Sequence, residues 1–274
     1  MTTVSILGCG WLGHQLADAL VAAGYHVKGS TTRENKRDVL RKSGIEPYVL
    51  RFTPRLEGDI RDFFACDVLV VTIPPKPPTS QNEQVYLETL VDELYSYLEP
   101  STHLIVTSST SVYAKRGTLV DEADDVMPES GRGQALRAYE QALQQRPVTI
   151  LRLAGLFGQG RQPGRFLAGR TNLAGATSPV NMVHGDDVVA IICQFITQLL
   201  VDDDVVLKDV FNVCADSHPT RQDFFTRAAE LAGLTPSTFN DDPAPYAVVD
   251  NRKLKQVLPY AYKYGDVLEA LTAV

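Results

Sequence analysis

Val4-Ser5-Ile6-Leu7-Gly8-Cys9-Gly10-Trp11-Leu12-Gly13 is the stretch that decides how this 274-residue chain folds. A short apolar strand enters a glycine turn, and His14 to Ala23 continue as a helix-forming run. A strand that passes into a helix through G-x-G-x-x-G needs glycine three times. Gly8 turns the chain sharply off the strand, Gly10 lets backbone approach a pyrophosphate, and Gly13 lets helix and strand pack closely. The helix then presents free N–H groups and the positive end of its dipole to an anion. Glycine turns also end ordinary helices, so it is the flanking strand and helix that point to a dinucleotide site, with Gly8, Gly10, Trp11, Leu12 and Gly13 as cofactor contacts.

Working outward, strand 4–8, helix 12–23, strand 26–31, helix 34–43, strand 47–51, a short helix near 56–64 and strand 67–73 alternate. That order predicts an α/β fold, a Rossmann-like doubly wound parallel sheet. Val68 to Ile73 and His103 to Thr107 are nearly continuous apolar runs, as central strands covered on both faces require. Pro74-Pro75-Lys76-Pro77-Pro78 between them reads as a loop, and Gln81 to Leu98 as a helix. A loop over 114–133, a helix over 134–145 and a strand over 148–153 follow.

The dinucleotide-binding domain is expected over 1–154, with a later strand or helix returning to it. A smaller C-terminal substrate lobe is expected over most of 155–274, with discontinuous boundaries. Its expected parts are a glycine-rich loop at 155–170, a strand near 179–183, a helix over 186–200, a strand over 210–213 and a helix over 220–232.

Composition limits the function classes. Cys9, Cys66, Cys193 and Cys214 stand far apart without C-x-x-C or Cys/His spacing, which fits buried thiols in a reducing compartment and gives no metal site. A formal net charge of -7, with Lys and Arg scattered among acids, argues against nucleic acid as a partner. No signal-like or membrane-length apolar run is present, so a cytoplasmic protein that binds a small molecule is expected.

Thr72, Ile73 and Pro74, where the fourth strand ends, join the expected cofactor contacts, as do Thr31, Thr32 and Arg33 where the second ends. An acid at the end of that second strand would hold the ribose hydroxyls of NAD. Hydroxyls and a cation stand there instead, with Lys36 and Arg37 one turn later, so NADP is favoured over NAD. Thr107-Ser108-Ser109-Thr110-Ser111-Val112-Tyr113 places hydroxyls at the C-terminal end of a central strand, where open α/β sheets bind ligands. A Ser/Thr turn that satisfies local backbone groups is the competing reading. Arg161 and Arg165 sit among Gly158, Gly160 and Gly164, either as an anion clamp or as an ordinary surface loop. His184, with Asp186 and Asp187 opening a helix, is either a ligand contact or a hydrogen-bonded structural histidine.

Four segments in this order resemble the extended or atypical short-chain dehydrogenase/reductase superfamily, which includes NAD-dependent epimerases and dehydratases. They are Gly8 to Gly13, Ser108 to Tyr113, Leu151-Arg152-Leu153-Ala154-Gly155-Leu156-Phe157-Gly158-Gln159-Gly160-Arg161, and Val183-His184-Gly185-Asp186-Asp187-Val188. Val249 to Leu254 is similar to the superfamily's C-terminal segment. The resemblance implies that Ser109 matches the catalytic Ser/Thr, that Ser108, Arg161 and His184 line the substrate side, and that helices 82–98 and 134–145 form a homodimer.

The family's Tyr-x-x-x-Lys pair is missing, for no tyrosine here has lysine four positions on. Aligning Ala138-Tyr139-Glu140-Gln141 with the helix after the family's lysine puts Arg132 and Leu136 in the Tyr and Lys places. A phenol near its reference pKa of about 10 is a poor base at neutral pH. Tyr113, Tyr139 and a bound water are the remaining proton sources. The expectation is an NAD(P)-dependent oxidoreductase or epimerase/dehydratase-like enzyme for a small substrate, a sugar nucleotide being one candidate. The competing expectation is a non-catalytic NAD(P)-binding sensor or regulator. A flavin-binding Rossmann-like protein accounts less well for Ser109 to Tyr113.

Overall fold

Apolar runs alternate with amphipathic ones from Thr3 onward, and the computed structural model turns each of the early ones into the expected element. It describes residues 1–52, 55–73, 83–124, 128, 130–201 and 207–274. In chain order these form β1 (Thr3–Leu7), α1 (Trp11–Ala22), β2 (His26–Thr31), α2 (Arg37–Lys42), β3 (Glu46–Val49), β4 (Arg51–Phe52), β5 (Leu56–Glu57), α3 (Ile60–Phe64), β6 (Val68–Val71), α4 (Glu83–Tyr97) and β7 (His103–Ser109). Then come β8 (Leu119–Val120), α5 (Gly131–Leu143), β9 (Thr149–Leu153), β10 (Gly155–Phe157), α6 (Gly164–Leu167), β11 (Met182–His184) and α7 (Gly185–Val201). The chain closes with β12 (Val210–Val213), α8 (Arg221–Leu231), β13 (Val248–Val249), α9 (Arg252–Val257) and α10 (Val267–Ala270).

Seven strands make one sheet in the order β12-β9-β7-β6-β1-β2-β3. The run from β7 to β3 is parallel throughout, with Ile6 beside Gly29 on one side and Val70 on the other. Successive side chains of a strand point to opposite faces. Leu7, Leu69, Val71, Leu104 and Val106 join the α4 residues Leu87, Leu90 and Leu94 in one buried cluster. Val4, Ile6, Val70 and Ile105, on the other face, are equally buried. Burial on both faces is what the uninterrupted apolar strands require.

The chain divides into two compact units. The first holds Met1–Ser109, Pro128–Leu151 and Ile192–Val210; the second holds Thr110–Met127, Arg152–Ile191 and Phe211–Val274. The strand expected over 210–213 forms as β12, the edge strand of the seven-stranded sheet. The second half of the 186–200 helix belongs to the first unit. Four buried residues in β12 are as compatible with a sheet edge under cover as with a lobe strand, so periodicity could not place them.

In the second unit, β10 pairs with β11 and β8 with β13. Phe157, Met182, Phe224, Val267 and Leu271 form its core. Helix α6 lies close on α8, for a Cβ at Gly164 would come within 2.3 Å of the Ala228 carbonyl. Thr220 caps α8 by accepting from the Asp223 N–H at 3.1 Å and donating to its carboxylate at 2.7 Å. Asp187 ties the C-terminal segment to the start of α7. It has no exposed surface, and it accepts from the Tyr260 hydroxyl at 2.6 Å and from the N–H groups of Lys263 and Tyr264 at 2.8 and 3.1 Å.

Candidate functional site

The glycine turn is held from three sides. Gly8 has φ +109, a conformation that favours glycine, and its N–H donates to the Ser30 hydroxyl at 2.8 Å. The next N–H, on Cys9, donates to the Ser30 carbonyl at 2.8 Å, and Thr72 Oγ1 donates to the Gly8 carbonyl at 2.7 Å. Gly13 packs against that same carbonyl, so a Cβ there would lie 2.3 Å from it and 2.7 Å from Thr72 Oγ1. At Gly10 a Cβ would meet nothing nearer than 3.9 Å.

The helix start is therefore open where a pyrophosphate would approach. Gly10 caps α1 without a side-chain bond, and no acid stands in the first turn. These features fit an anionic group. Leu12 is buried under the turn and Trp11 half-buried beside it, its carbonyl accepting from Gln15 Nε2 at 2.9 Å. Cys9 is no nucleophile, since burial pushes its thiol up to about 12.

At the end of β2, Thr31 is buried and its hydroxyl accepts from the Arg33 N–H at 3.2 Å. Thr32 and Arg33 are exposed, as is Lys36. Arg37, by contrast, is turned into an ion pair with Glu34 at 2.8 Å. Two cations thus stand open where an adenosine ribose would end. Thr72 serves the turn itself, Ile73 is half-buried beside Gly8, and Pro74 lies outside the described residues.

Ser109 is the last residue of β7 and is half-buried. Its neighbour Ser108, expected on the substrate side, points inward: 5% exposed, it donates to the carboxylate of Glu140, itself 2% exposed. Adjacent strand residues face opposite ways, so the two serines meet different surroundings. Tyr139, named from sequence as one proton source, lies in the core. It is 2% exposed in the core cluster with Tyr86 and Leu90, and burial raises its pKa well above the ordinary phenol value. Leu136 is buried and Arg132 exposed on the same helix.

In the second unit Tyr113 is buried and its hydroxyl is committed. It donates to Asn212 Oδ1 at 2.9 Å and accepts from Arg152 Nη1 at 2.8 Å, with that guanidinium 5.0 Å over its ring. Burial pushes the phenol up to about 12 against the opposing pull of Arg152. Asn212 in turn donates to the Asp250 carbonyl at 3.0 Å and, through its backbone N–H, to Glu122 at 2.6 Å. Tyr113 is thus part of a satisfied polar core rather than a free acid. Arg161 is exposed, its Nε donating to the Leu156 carbonyl at 2.9 Å and its guanidinium lying 5.7 Å from the Phe166 ring centre.

His184 is buried between Phe157 and Tyr264, the latter ring 4.0 Å away, and its Nδ1 accepts from the Asp186 N–H at 3.2 Å. Its Nε2 has no partner among the described residues, and neither has His218 Nδ1. Burial holds both imidazoles below the ordinary histidine value. A lowered folded-state pKa means that the unfolded chain takes up these protons first. Stability is then full above the unfolded value of about 6.5 and falls as pH drops below it. Urea midpoints should decline between pH 7 and 5 and decline less in His218→Gln; a flat or rising profile contradicts the assignment.

Ser30, Glu140, Arg152 and Asn212 are the residues that sequence reading left without their roles. No cluster of three metal-ligating side chains occurs among the described residues, and no described helix is long and apolar enough to cross a membrane.

No family model matches the sequence. The chain is 38% identical to Protein YeeZ of Escherichia coli over 279 residues, covering 98% of each chain. Among solved structures it is similar to MoeE5 in complex with UDP-glucuronic acid and NAD, with a TM-score of 0.76, 18% identity and coverage of 100% and 97% of the two chains. UDP-glucuronic acid 4-epimerase from Bacillus cereus, in complex with UDP-glucuronic acid and NAD, gives a TM-score of 0.75 at 17% identity, with 99% and 97% covered. By identity over nearly its whole length this chain belongs to the family of YeeZ, and it shares its fold with solved structures such as MoeE5 and UDP-glucuronic acid 4-epimerase.

Proposed function

We propose that the chain binds NADP or NAD on Gly8 to Gly13 and acts as an oxidoreductase or epimerase/dehydratase-like enzyme on a small substrate, a sugar nucleotide being the candidate class. The observation that carries this is the glycine turn. Gly13 lies against the Gly8 carbonyl while Gly10 and the uncapped start of α1 stay open. The UDP-sugar and NAD complexes of the similar folds support the substrate class.

When bound, the nicotinamide supplies hydride chemistry. The chain's own part is orientation: Ser30 and Thr72 fix the turn, and Ser109 at the end of β7 offers a hydroxyl to the reacting oxygen. With Tyr139 in the core and Tyr113 hydrogen-bonded on both sides, a bound water is the proton source that this reading retains. Arg161 and His184 remain substrate-side candidates, Arg161 as an exposed cation and His184 through the shape of its buried ring stack.

Arg33 and Lys36 favour NADP. A guanidinium on a 2′-phosphate makes charge-assisted hydrogen bonds of about 1.5–3 kcal/mol. Arg33→Asp should therefore weaken NADP about tenfold or more and leave NAD equal or better; equal NADP affinity in parent and variant contradicts the assignment. The same missing Tyr/Lys pair and committed phenols favour a second reading, a dinucleotide-binding sensor without turnover. Absorbance of reduced nicotinamide against a panel of UDP-sugars, aldehydes and quinones separates the two. Turnover that falls in Ser109→Ala supports the enzyme, and tight binding with no turnover supports the sensor.

A further inference from the structure

The sheet's opposite edge carries a cavity that the dinucleotide reading does not use. His103 and Thr149 are the first residues of β7 and β9; β7 runs parallel to β6 and β6 to β1, so His103 marks the end of the sheet opposite the one where β1 enters the glycine turn. Around them, within the first unit, lies a cavity of about 340 Å³. That is in the range of small-molecule sites. Its floor includes Leu98, Leu104 and Leu199, all buried and apolar.

Among the described residues the polar side of the cavity is unequal in charge: Arg146 and Lys208 line it, against the carboxylate of Glu99. Arg146 is held in place: its guanidinium lies 4.6 Å from the Tyr95 ring centre and Nη1 donates to the Tyr95 carbonyl at 3.4 Å. A stacked guanidinium loses less freedom when it pairs with a planar anion, and it keeps donors for the two oxygens of a carboxylate. An apolar floor beneath a fixed cation matches a molecule with an apolar body and one anionic end.

We propose that this cavity is a second ligand site, for a small organic acid whose apolar body rests on the three leucines and whose carboxylate pairs with Arg146. It does not rest on the dinucleotide assignment, since none of its lining residues belongs to the glycine turn or the end of β2.

Methyl-resolved NMR of the full chain, titrated with phenylacetate and with its neutral amide, tests the site. Saturable shifts are expected at Leu98, Leu104 and Leu199 with the acid, at least about tenfold weaker with the amide. Arg146→Gln should weaken the acid about tenfold while leaving the melting temperature unchanged, and Lys208→Gln should weaken it less. Saturating NADP should not displace the acid. Absence of saturable shifts, equal titration by acid and amide, an Arg146→Gln variant that binds normally, or competition by NADP overturns the proposal.

Discussion

Gly13→Ala loses nucleotide binding by about a hundredfold or more and lowers stability by roughly 1–3 kcal/mol. The added Cβ would stand 2.3 Å from the Gly8 carbonyl and 2.7 Å from Thr72 Oγ1, so α1 must move off β1 or the turn must open. Either movement misdirects the N–H groups that would face a pyrophosphate, and each charge-assisted bond lost is worth about 1.5–3 kcal/mol. Gly10→Ala is the informative partner. Its Cβ meets no protein atom nearer than 3.9 Å, so the variant should melt with the parent and still bind nucleotide poorly, because the methyl stands where the ligand approaches. Melting curves and titrations of the two variants together separate packing from ligand approach. Parent-like affinity in Gly13→Ala contradicts the description of the turn.

Asp187→Ala should be the most damaging single change in the second unit, costing about 3 kcal/mol or more. The carboxylate has no exposed surface and three donors converge on it, two of them backbone N–H groups of Lys263 and Tyr264. Removing it leaves those donors buried without an acceptor and frees the C-terminal segment from α7. For a chain of this size the melting temperature should fall by roughly 6 °C or more. Asp187→Asn keeps an acceptor and should recover part of the loss; a melting point within 1 °C of the parent in Asp187→Ala would show that the segment is held elsewhere.

The contrast between these two positions shows what the sequence could disclose. The turn was legible because strand, three glycines and helix are contiguous, and each glycine answers a local geometric need. Asp187 read only as a helix-start acid, since its partners lie more than seventy positions away. Distance along the chain also hid the β8–β13 pair, where two residues per strand leave no period to detect. The loop predicted over 114–133 accordingly contains β8, and α5 begins three residues earlier than expected because Ser130 caps it through the Gly133 N–H at 3.1 Å.

Among the chemical residues, composition and spacing gave the neighbourhood and not the direction. Ser108 and Ser109 are consecutive hydroxyls, and only the pleat decides that Ser108 meets the buried Glu140. Tyr113 and Tyr139 carry the same phenol as a catalytic tyrosine. One is enclosed by Arg152 and Asn212, the other is buried in the core cluster that also holds Tyr86 and Leu90, and neither environment is written in the adjacent residues.

The uncapped start of α1 is expected to receive a dinucleotide pyrophosphate. Isothermal titration of the full chain with NAD, NADH, NADP and NADPH tests it most directly. Saturable binding of at least one of the four is predicted, strongest for a 2′-phosphorylated form and lost in Gly10→Ala. No heat with any of them, or binding unchanged in that variant, would contradict it.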